Sequence, residues 1–187
     1  MPALMNSLGW PESGRDDMLN NEIESALNRH LNAEFFSSYL YLSMAAYFDK
    51  HDLPGMLNWM KAQSAEENTH ALKFYKFILD RDGKVALDAI ERPPNEWSSP
   101  LEAFENAYKH EQEVSSKINV LLELSLKHHD HATHNFLQWF VAEQVEEEAT
   151  VRDICSRLKL VGNDGRGLFL IDQELAARGP DDAGADE

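Results

Sequence analysis

The residues best suited to chemistry form two short segments that resemble one another. Glu67 and His70 make a Glu-x-x-His pair, and Gln144 and Glu147 stand at the same spacing farther along the chain. An acid directly precedes each pair, Glu66 in the one and Glu143 in the other. Because residues three apart share a helix face, each pair presents its two side chains to one region. Carboxylates with an imidazole suit iron or manganese, with zinc as a further option, so the segments indicate two halves of a metal site.

Two further carboxylates join this set through their place in the hydrophobic pattern. Four long segments carry inward positions at steps of three and four, the spacing of bundle helices. Each stripe is apolar toward its ends and has one glutamate near its middle, namely Glu34, Glu67, Glu111 and Glu147. Burying such carboxylates together costs several kcal/mol each unless they share protons or surround a cation. The pattern therefore predicts an all-α four-helix bundle in which four carboxyl groups at one level either share protons or surround a cation.

Turn residues mark the helices that must position these side chains. We predict helices from about Met18 to Lys50, from Pro54 to about Arg81, from Ser99 to near Lys127, and from the turn at 128–131 to about Leu160. Asp52 is the predicted cap of the second helix. A short apolar piece, LFLIDQEL, follows the break GNDGRG. The connection at 82–98 extends to about 56–61 Å, which exceeds the ~42 Å second helix and allows helices two and three to run parallel.

Composition and charge narrow the classes of function. The chain has 187 residues, 43% of them hydrophobic, and a net charge of −16, which fits one globular domain and disfavours binding to nucleic acid or anionic membranes. The single cysteine, Cys155, excludes an intramolecular disulfide and an all-cysteine metal site. The first twenty residues lack the pattern of a Sec-type signal peptide, so we expect a cytoplasmic protein. We expect a flexible extension at 1–17, a domain at 18–176 and an acidic disordered tail at 177–187.

The sequence resembles the ferritin family, and within it the bacterial haem-free ferritins. The resemblance runs from about Met18 to Leu175 and rests on five ordered segments: NAEFFSSYLY, SAEENTH, YKHEQE, NFLQWFVAEQVEEE and LIDQEL. It implies a ferritin-like four-helix bundle with one long crossover and a short C-terminal fifth helix. It also implies a homo-oligomeric cage of twenty-four subunits that stores and detoxifies iron. Each subunit would act as a ferroxidase, oxidising Fe(II) with O2 or hydrogen peroxide at a di-iron centre and depositing Fe(III) mineral.

Carried over by position, the resemblance implies a role for each candidate site residue. Glu34, Glu67 and His70 hold the first iron. Glu67 bridges to the second iron, which Glu111 and Glu147 hold. Gln144 and Tyr41 lie beside the centre, with Tyr41 as a hydrogen-bond partner and one-electron donor. The residues that match the third iron site of bacterial ferritins are Glu66, Glu143 and Glu146, with Glu147, and Trp139 matches an aromatic nearby.

The sequence differs from bacterioferritins at the residues that bind their second iron and their haem. Bacterioferritins carry a second Glu-x-x-His on helix four, where this chain has Gln144 and Glu147, and a haem-ligating methionine where it has Asn68. The resemblance therefore implies iron but no haem. Two alternatives remain: a di-iron carboxylate oxidase or peroxidase without storage, and a non-catalytic acidic bundle that binds cations or partners.

Three weaker features carry expectations of their own. The segment LFLIDQEL would expose Phe169, Leu170 and Ile171 on a monomer, so we expect oligomerisation to bury it, with packing on its own bundle as the alternative. The segment KHHDHATH is interpreted as a solvated turn, with iron capture as the alternative, and its histidines are His128, His129, His131 and His134. His30 is interpreted as a hydrogen-bonded core or edge residue rather than a ligand.

Overall fold

A computed structural model describes residues 19–177 as five helices with no strand in that range. The helices are α1 (Asn21–Lys50), α2 (Pro54–Asp80), α3 (Pro100–Lys127), α4 (His131–Val161) and α5 (Gly165–Leu175). The all-α class and the fifth helix are thus confirmed. The predicted extension at 1–17, and the predicted tail beyond residue 177, lie outside the described residues. None of the helices in the described range combines the length and apolar character needed to cross a membrane.

Side chains cap the N-termini of helices as the sequence suggests, but the cap predicted for α2 is wrong. Ser99 Oγ accepts from the Glu102 N–H at 3.1 Å, and Asp130 Oδ1 accepts from the Thr133 N–H at 3.0 Å, so α3 and α4 both begin at a side-chain cap. The prediction that Asp52 caps α2 is wrong, because Asp52 lies in the turn with φ 55°. Instead the Met56 N–H donates to Oδ1 of Asp172 at 2.9 Å. A residue of α5 therefore caps α2.

The connection at 81–99 runs along α1. Asn28 bonds the backbone of residues 84 and 86, and Asn32 bonds the backbone of 86 and 88. Farther along α1, Ser43 Oγ donates to the carbonyl of Pro94 at 2.6 Å. The connection therefore passes from the beginning of α1 toward its end. Since α2 returns antiparallel to α1, this crossover starts α3 at the same end as α2 and makes the two helices parallel.

The core consists of two apolar clusters with a polar layer between them. One cluster includes Met44, Met60, Phe104 and Ile154, together with Ile171 and Leu175 of α5. The other includes Leu27, Phe74, Ile118 and Phe140. Each of the four long helices has inward positions at steps of three and four that run through its glutamate. These positions are buried except for four half-buried ones, which are Leu57, Tyr108, Ser115 and Leu122. The helices thus bury apolar side chains at both ends of the bundle and bring glutamates together in the middle.

Helix α5 packs against its own bundle with one face and leaves the other face exposed. Ile171 is only 4% exposed, so the expectation that it is uncovered on the monomer is wrong. Phe169 and Leu170 are each 61% exposed, as expected. The approach to α2 is so close that a Cβ on Gly55 would lie 1.7 Å from the carbonyl oxygen of Asp172. Glycine at position 55 is therefore what allows α5 to dock.

Candidate metal centre

The polar layer gathers one glutamate from each of the four long helices. Glu34 of α1, Glu67 of α2, Glu111 of α3 and Glu147 of α4 are all buried. Ligand atoms of Glu34, Glu67 and His70 lie within 4.8 Å of one another, close enough to hold one metal ion. The arrangement matches what the stripes predict. Four acids in one core layer without a cation are unfavourable, so the layer is built for positive charge.

The first candidate position lies between α1 and α2. Burial alone would raise the pKa of Glu34, but the adjacent His30, with smaller contributions from Glu67 and His70, outweighs burial and brings the pKa to about 2. Glu34 Oε2 is buried and has no hydrogen-bond partner among residues 19–177. Burial lowers the pKa of His70 to about 4, although Glu34 opposes this, so its imidazole is neutral at pH 7. An ionised carboxylate and a neutral imidazole are the forms that bind a metal ion.

The second candidate position lies toward α3 and α4. Tyr41 Oη donates to Oε1 of Glu111, and Gln144 Nε2 donates to Oε2 of the same carboxylate at 3.1 Å. Gln63 Nε2 donates to Oε2 of Glu147 at 2.9 Å. Neutral donors from neighbouring helices therefore aim both carboxylates, and the structure places both Tyr41 and Gln144 in contact with Glu111.

The proximity of the carboxyl groups shifts their proton affinities. Burial raises the pKa of Glu67 well above its usual value, and the charges of Glu111 and Glu34 raise it further. Burial also raises the pKa of Glu111 to about 7, against the lowering effect of the bonds from Tyr41 and Gln144. Without a cation, part of this layer therefore stays protonated near neutral pH. A divalent ion would replace those protons.

An outer acidic group adjoins the first position. Ligand atoms of Glu66, His70 and Glu143 also lie within 4.8 Å of one another, so His70 belongs to both groups. Lys73 Nζ lies 3.0 Å from the ring centroid of Trp139, a cation–π contact beside this group. Glu146 is exposed and lies outside both groups. Besides Glu147, three residues were expected at the third iron site: Glu66, Glu143 and Glu146. The structure places the first two of these beside His70.

Two buried polar residues near the candidate centre were not predicted from the sequence, and a third lies closer to a candidate ligand than expected. Gln63, one helical turn before Glu67, contacts Glu147 directly. His110 Nε2 lies 2.7 Å from Ser37 Oγ, which ties α3 to α1 beside Glu111. His30 is in the core, as one of the two interpretations held, but its Nε2 lies 2.7 Å from Glu34 Oε1. Spacing of three or four residues from a predicted ligand would have singled out Gln63 and His30.

The histidine-rich turn does not gather into one site within the described chain. His128 Nε2 lies 2.6 Å from Oε2 of Glu22, while His129 and His131 are exposed. The groups of three metal-ligating residues found between residues 19 and 177 are the two described above. The interpretation as a solvated turn therefore remains the simpler one for a single chain.

Comparison with known proteins agrees with this geometry. Residues 24–161 match the family model described as a ferritin-like domain. A bacterial non-heme ferritin of Bacteroides fragilis is 40% identical over 161 residues, which cover 86% of this chain and 100% of its own. A bacterial non-heme ferritin of Escherichia coli O6:H1 is 38% identical over 159 residues, covering 85% of this chain and 96% of its own. An open pore ferritin from the hyperthermophilic archaeon Archaeoglobus fulgidus superimposes with a TM-score of 0.86 at 51% identity, covering 86% of this chain and 99% of its own. The chain belongs to the ferritin family.

Proposed function

We propose that this protein oxidises Fe(II) at a di-iron centre inside each subunit and stores the Fe(III) as mineral in a cage. The observation that carries the proposal is the grouping of Glu34, Glu67 and His70 in a buried layer of four carboxylates. The orphaned Oε2 of Glu34 fits a cation, because a buried carboxylate oxygen without a partner is costly. Hard oxygen donors also suit iron and favour its ferric state.

Each residue of the layer receives a role in this proposal. Glu34, Glu67 and His70 bind the first Fe(II), and Glu67 bridges to the second. Glu111 and Glu147 bind the second Fe(II), supported by Gln144 and Gln63. Tyr41, whose hydroxyl donates to Glu111, orients that carboxylate and stands near enough to supply an electron. Glu66 and Glu143, beside His70, form an outer position toward which ferric iron leaves, with Glu146 and Glu147 as further acids on that path.

The raised pKa values of Glu67 and Glu111 mean that Fe(II) binding releases protons. Each Fe(II) that enters displaces protons that these buried carboxyls hold near neutral pH. Two Fe(II) ions then give up one electron each. Dioxygen takes the two electrons with two protons and leaves as hydrogen peroxide, or peroxide takes the same two electrons and two protons and leaves as water. A paired transfer of this kind avoids releasing a one-electron-reduced oxygen species.

Storage requires assembly, and the exposed surface of the chain supports it. Phe169 and Leu170 on α5, both 61% exposed, form an apolar surface that contact with another copy would cover. The relatives of known structure are ferritins, which supports a cage of twenty-four subunits as the assembled form. We propose the cytoplasm as its location, where a buried free thiol such as Cys155 is stable.

The test combines a kinetic and a mass measurement. Fe(II) is added to the metal-free protein without oxygen, the solution is mixed with oxygenated buffer, and ferric absorbance is followed while the assembly mass is measured. A fast phase that saturates at about two irons per subunit, followed by uptake of many more irons by a cage, is the expected result. A fast phase in a monomer or dimer would indicate a di-iron oxidase without storage. An intact protein with no fast phase would overturn the ferroxidase assignment.

A further inference from the structure

His30 lies where it can control one oxygen of Glu34. The two residues are one helical turn apart on α1, and His30 Nε2 approaches Glu34 Oε1 to 2.7 Å. The His30 ring is 3% exposed and packs against the ring of Phe74 at 4.6 Å between centroids, which limits its rotation. Its position is therefore set by the core, while its polar edge faces a candidate metal ligand.

The two carboxylate oxygens of Glu34 differ in their polar contacts. Glu34 Oε1 is in contact with His30, whereas Glu34 Oε2 has no hydrogen-bond partner among residues 19–177. Neither ring nitrogen of His30 makes an aligned hydrogen bond in that range, so its polar interaction with Glu34 is a short off-axis contact. Oε2 is thus the oxygen of Glu34 that His30 leaves open to an ion that also binds Glu67 and His70.

We propose that His30 is a positioning residue that holds Glu34 Oε1 and so makes Glu34 a one-oxygen ligand through Oε2. The inference rests on the proposed ferroxidase function and adds a residue to it. A carboxylate that binds a metal through both oxygens fills two coordination positions, whereas one that binds through a single oxygen leaves a position open. An open position on the first iron is what an incoming oxidant requires. Neighbours of a ligand that orient it commonly change metal affinity by 10–100-fold.

The far side of the His30 ring offers a way to test the contact rather than the packing. A surface cavity of about 380 Å³ adjoins the ring, with Ala26, Ala33, Val120 and Leu121 in its walls. Arg29, which also lines it, donates to Ser25 Oγ at 2.8 Å and so points away from Glu34. Removing the imidazole would join its volume to this cavity. Free imidazole of the same size can then enter the vacated space.

The test compares His30→Leu, which fills the space without a donor, with His30→Gln, whose amide can still donate to a glutamate one turn away. The probe is Co²⁺, with binding and d–d absorption followed on the assembled protein under conditions without turnover. We expect His30→Leu to weaken the first Co²⁺ at least tenfold and to lower the band intensity, as a two-oxygen carboxylate raises the coordination number. We expect His30→Gln to stay within about threefold of the parent chain. The same affinity and spectrum in His30→Leu and the parent would overturn the inference.

Two further variants keep the result interpretable. If His30→Leu fails to fold, His30→Ala with added imidazole takes its place, and restored Co²⁺ affinity is expected; no restoration would contradict the positioning role. Glu34→Ala separates this inference from the proposed function. If Glu34→Ala binds Co²⁺ like the parent, the proposed centre itself is wrong. If Glu34→Ala loses the first Co²⁺ while His30→Leu is unchanged, only the role of His30 is wrong.

Discussion

Gln63 Nε2 donates a 2.9 Å hydrogen bond to Oε2 of Glu147 and so joins α2 to α4 at the level of the candidate centre. Both residues are buried, and Gln63 precedes Glu67 by one helical turn. Helix α2 therefore supplies two candidate ligands, Glu67 and His70, and also aims a third that belongs to another helix. Pairs of donors and acids of this kind hold the layer in place before any ion binds.

Replacing Gln63 with Met should weaken the second metal position. The substitution keeps the length of the side chain but removes the donor, so Glu147 loses an oriented partner. We expect the second of two bound metal ions to bind about tenfold more weakly, with the first little changed, in an anaerobic titration. Gln138→Met, an exposed change on α4, is the matched control. Equal weakening of both positions would argue that Gln63 acts on the whole layer.

Removing two groups from the first position should abolish rapid oxidation without loss of the fold. Glu67→Ala combined with His70→Ala deletes two of the three side chains whose ligand atoms lie within 4.8 Å of one another. Because Glu67 is also the proposed bridge, we expect the initial rate of Fe(II) oxidation to fall at least 100-fold in stopped-flow measurements. Glu123→Ala removes an exposed acid of α3 and should leave the rate unchanged. An unchanged rate in the double variant would remove these residues from the centre.

Proton release should accompany metal binding, and metal-free stability should fall as the pH rises above about 6.5. The pKa of Glu111 is about 7 in the folded chain, above its usual value, and that of Glu67 is also raised, so both hold protons that the unfolded chain gives up. The titration of these two carboxyl groups therefore lowers the free energy of unfolding as the pH rises from about 4.5 through 7. The pKa of His70 is about 4 in the folded chain, below its usual value, so this residue raises the stability as the pH rises from about 4 to 6.5. Above about pH 6.5 its contribution no longer changes.

Thermal unfolding of the metal-free protein between pH 6.5 and 8 checks this sign. We expect the melting temperature to fall across that range, and Glu111→Gln to make the slope shallower because the amide does not titrate. Saturating Zn²⁺ should release protons in an unbuffered titration and raise the melting temperature most at the higher pH. A melting temperature of the metal-free protein that rises steadily through pH 8 would contradict the raised pKa values.

The four long helices and their glutamates were predictable because a stripe repeated at steps of three and four determines which side chains face the core. The partners of those glutamates were not, because they come from other helices. Gln63 reaches Glu147 across the bundle, and Asp172 caps α2 from 116 residues away. Local signals such as Asp52 before Pro54 suggested a cap within the same turn. A long-range contact supplied it instead, and no spacing rule reports such a contact.

Asn28 should anchor the crossover to α1. Its side chain donates to the carbonyl of Lys84 at 2.9 Å and accepts from the Ala86 N–H at 2.6 Å, with little exposure to water. Asn28→Ala leaves both backbone groups without these partners, so we expect a loss of about 1–3 kcal/mol in the free energy of unfolding. Chemical denaturation measures it, and Asn58→Ala, an exposed change on α2, is the control. Faster hydrogen exchange at residues 84–88 should accompany the loss, and unchanged exchange there would contradict the anchoring role.

Gly55→Ala should detach α5 from the bundle. A Cβ at position 55 would lie 1.7 Å from the backbone carbonyl oxygen of Asp172, and backbone at that distance has to move. The same shift would break the bond from the Met56 N–H to Asp172 and uncap α2. We expect a destabilisation of several kcal/mol, proteolysis near residues 162–165 and, if α5 contributes to assembly, a loss of cage mass. Gly165→Ala is the control, since a Cβ there meets nothing within 4 Å and position 165 is already helical. An intact, protease-resistant cage in Gly55→Ala would show that α5 can shift without leaving the bundle, and the close contact would then not be what holds it.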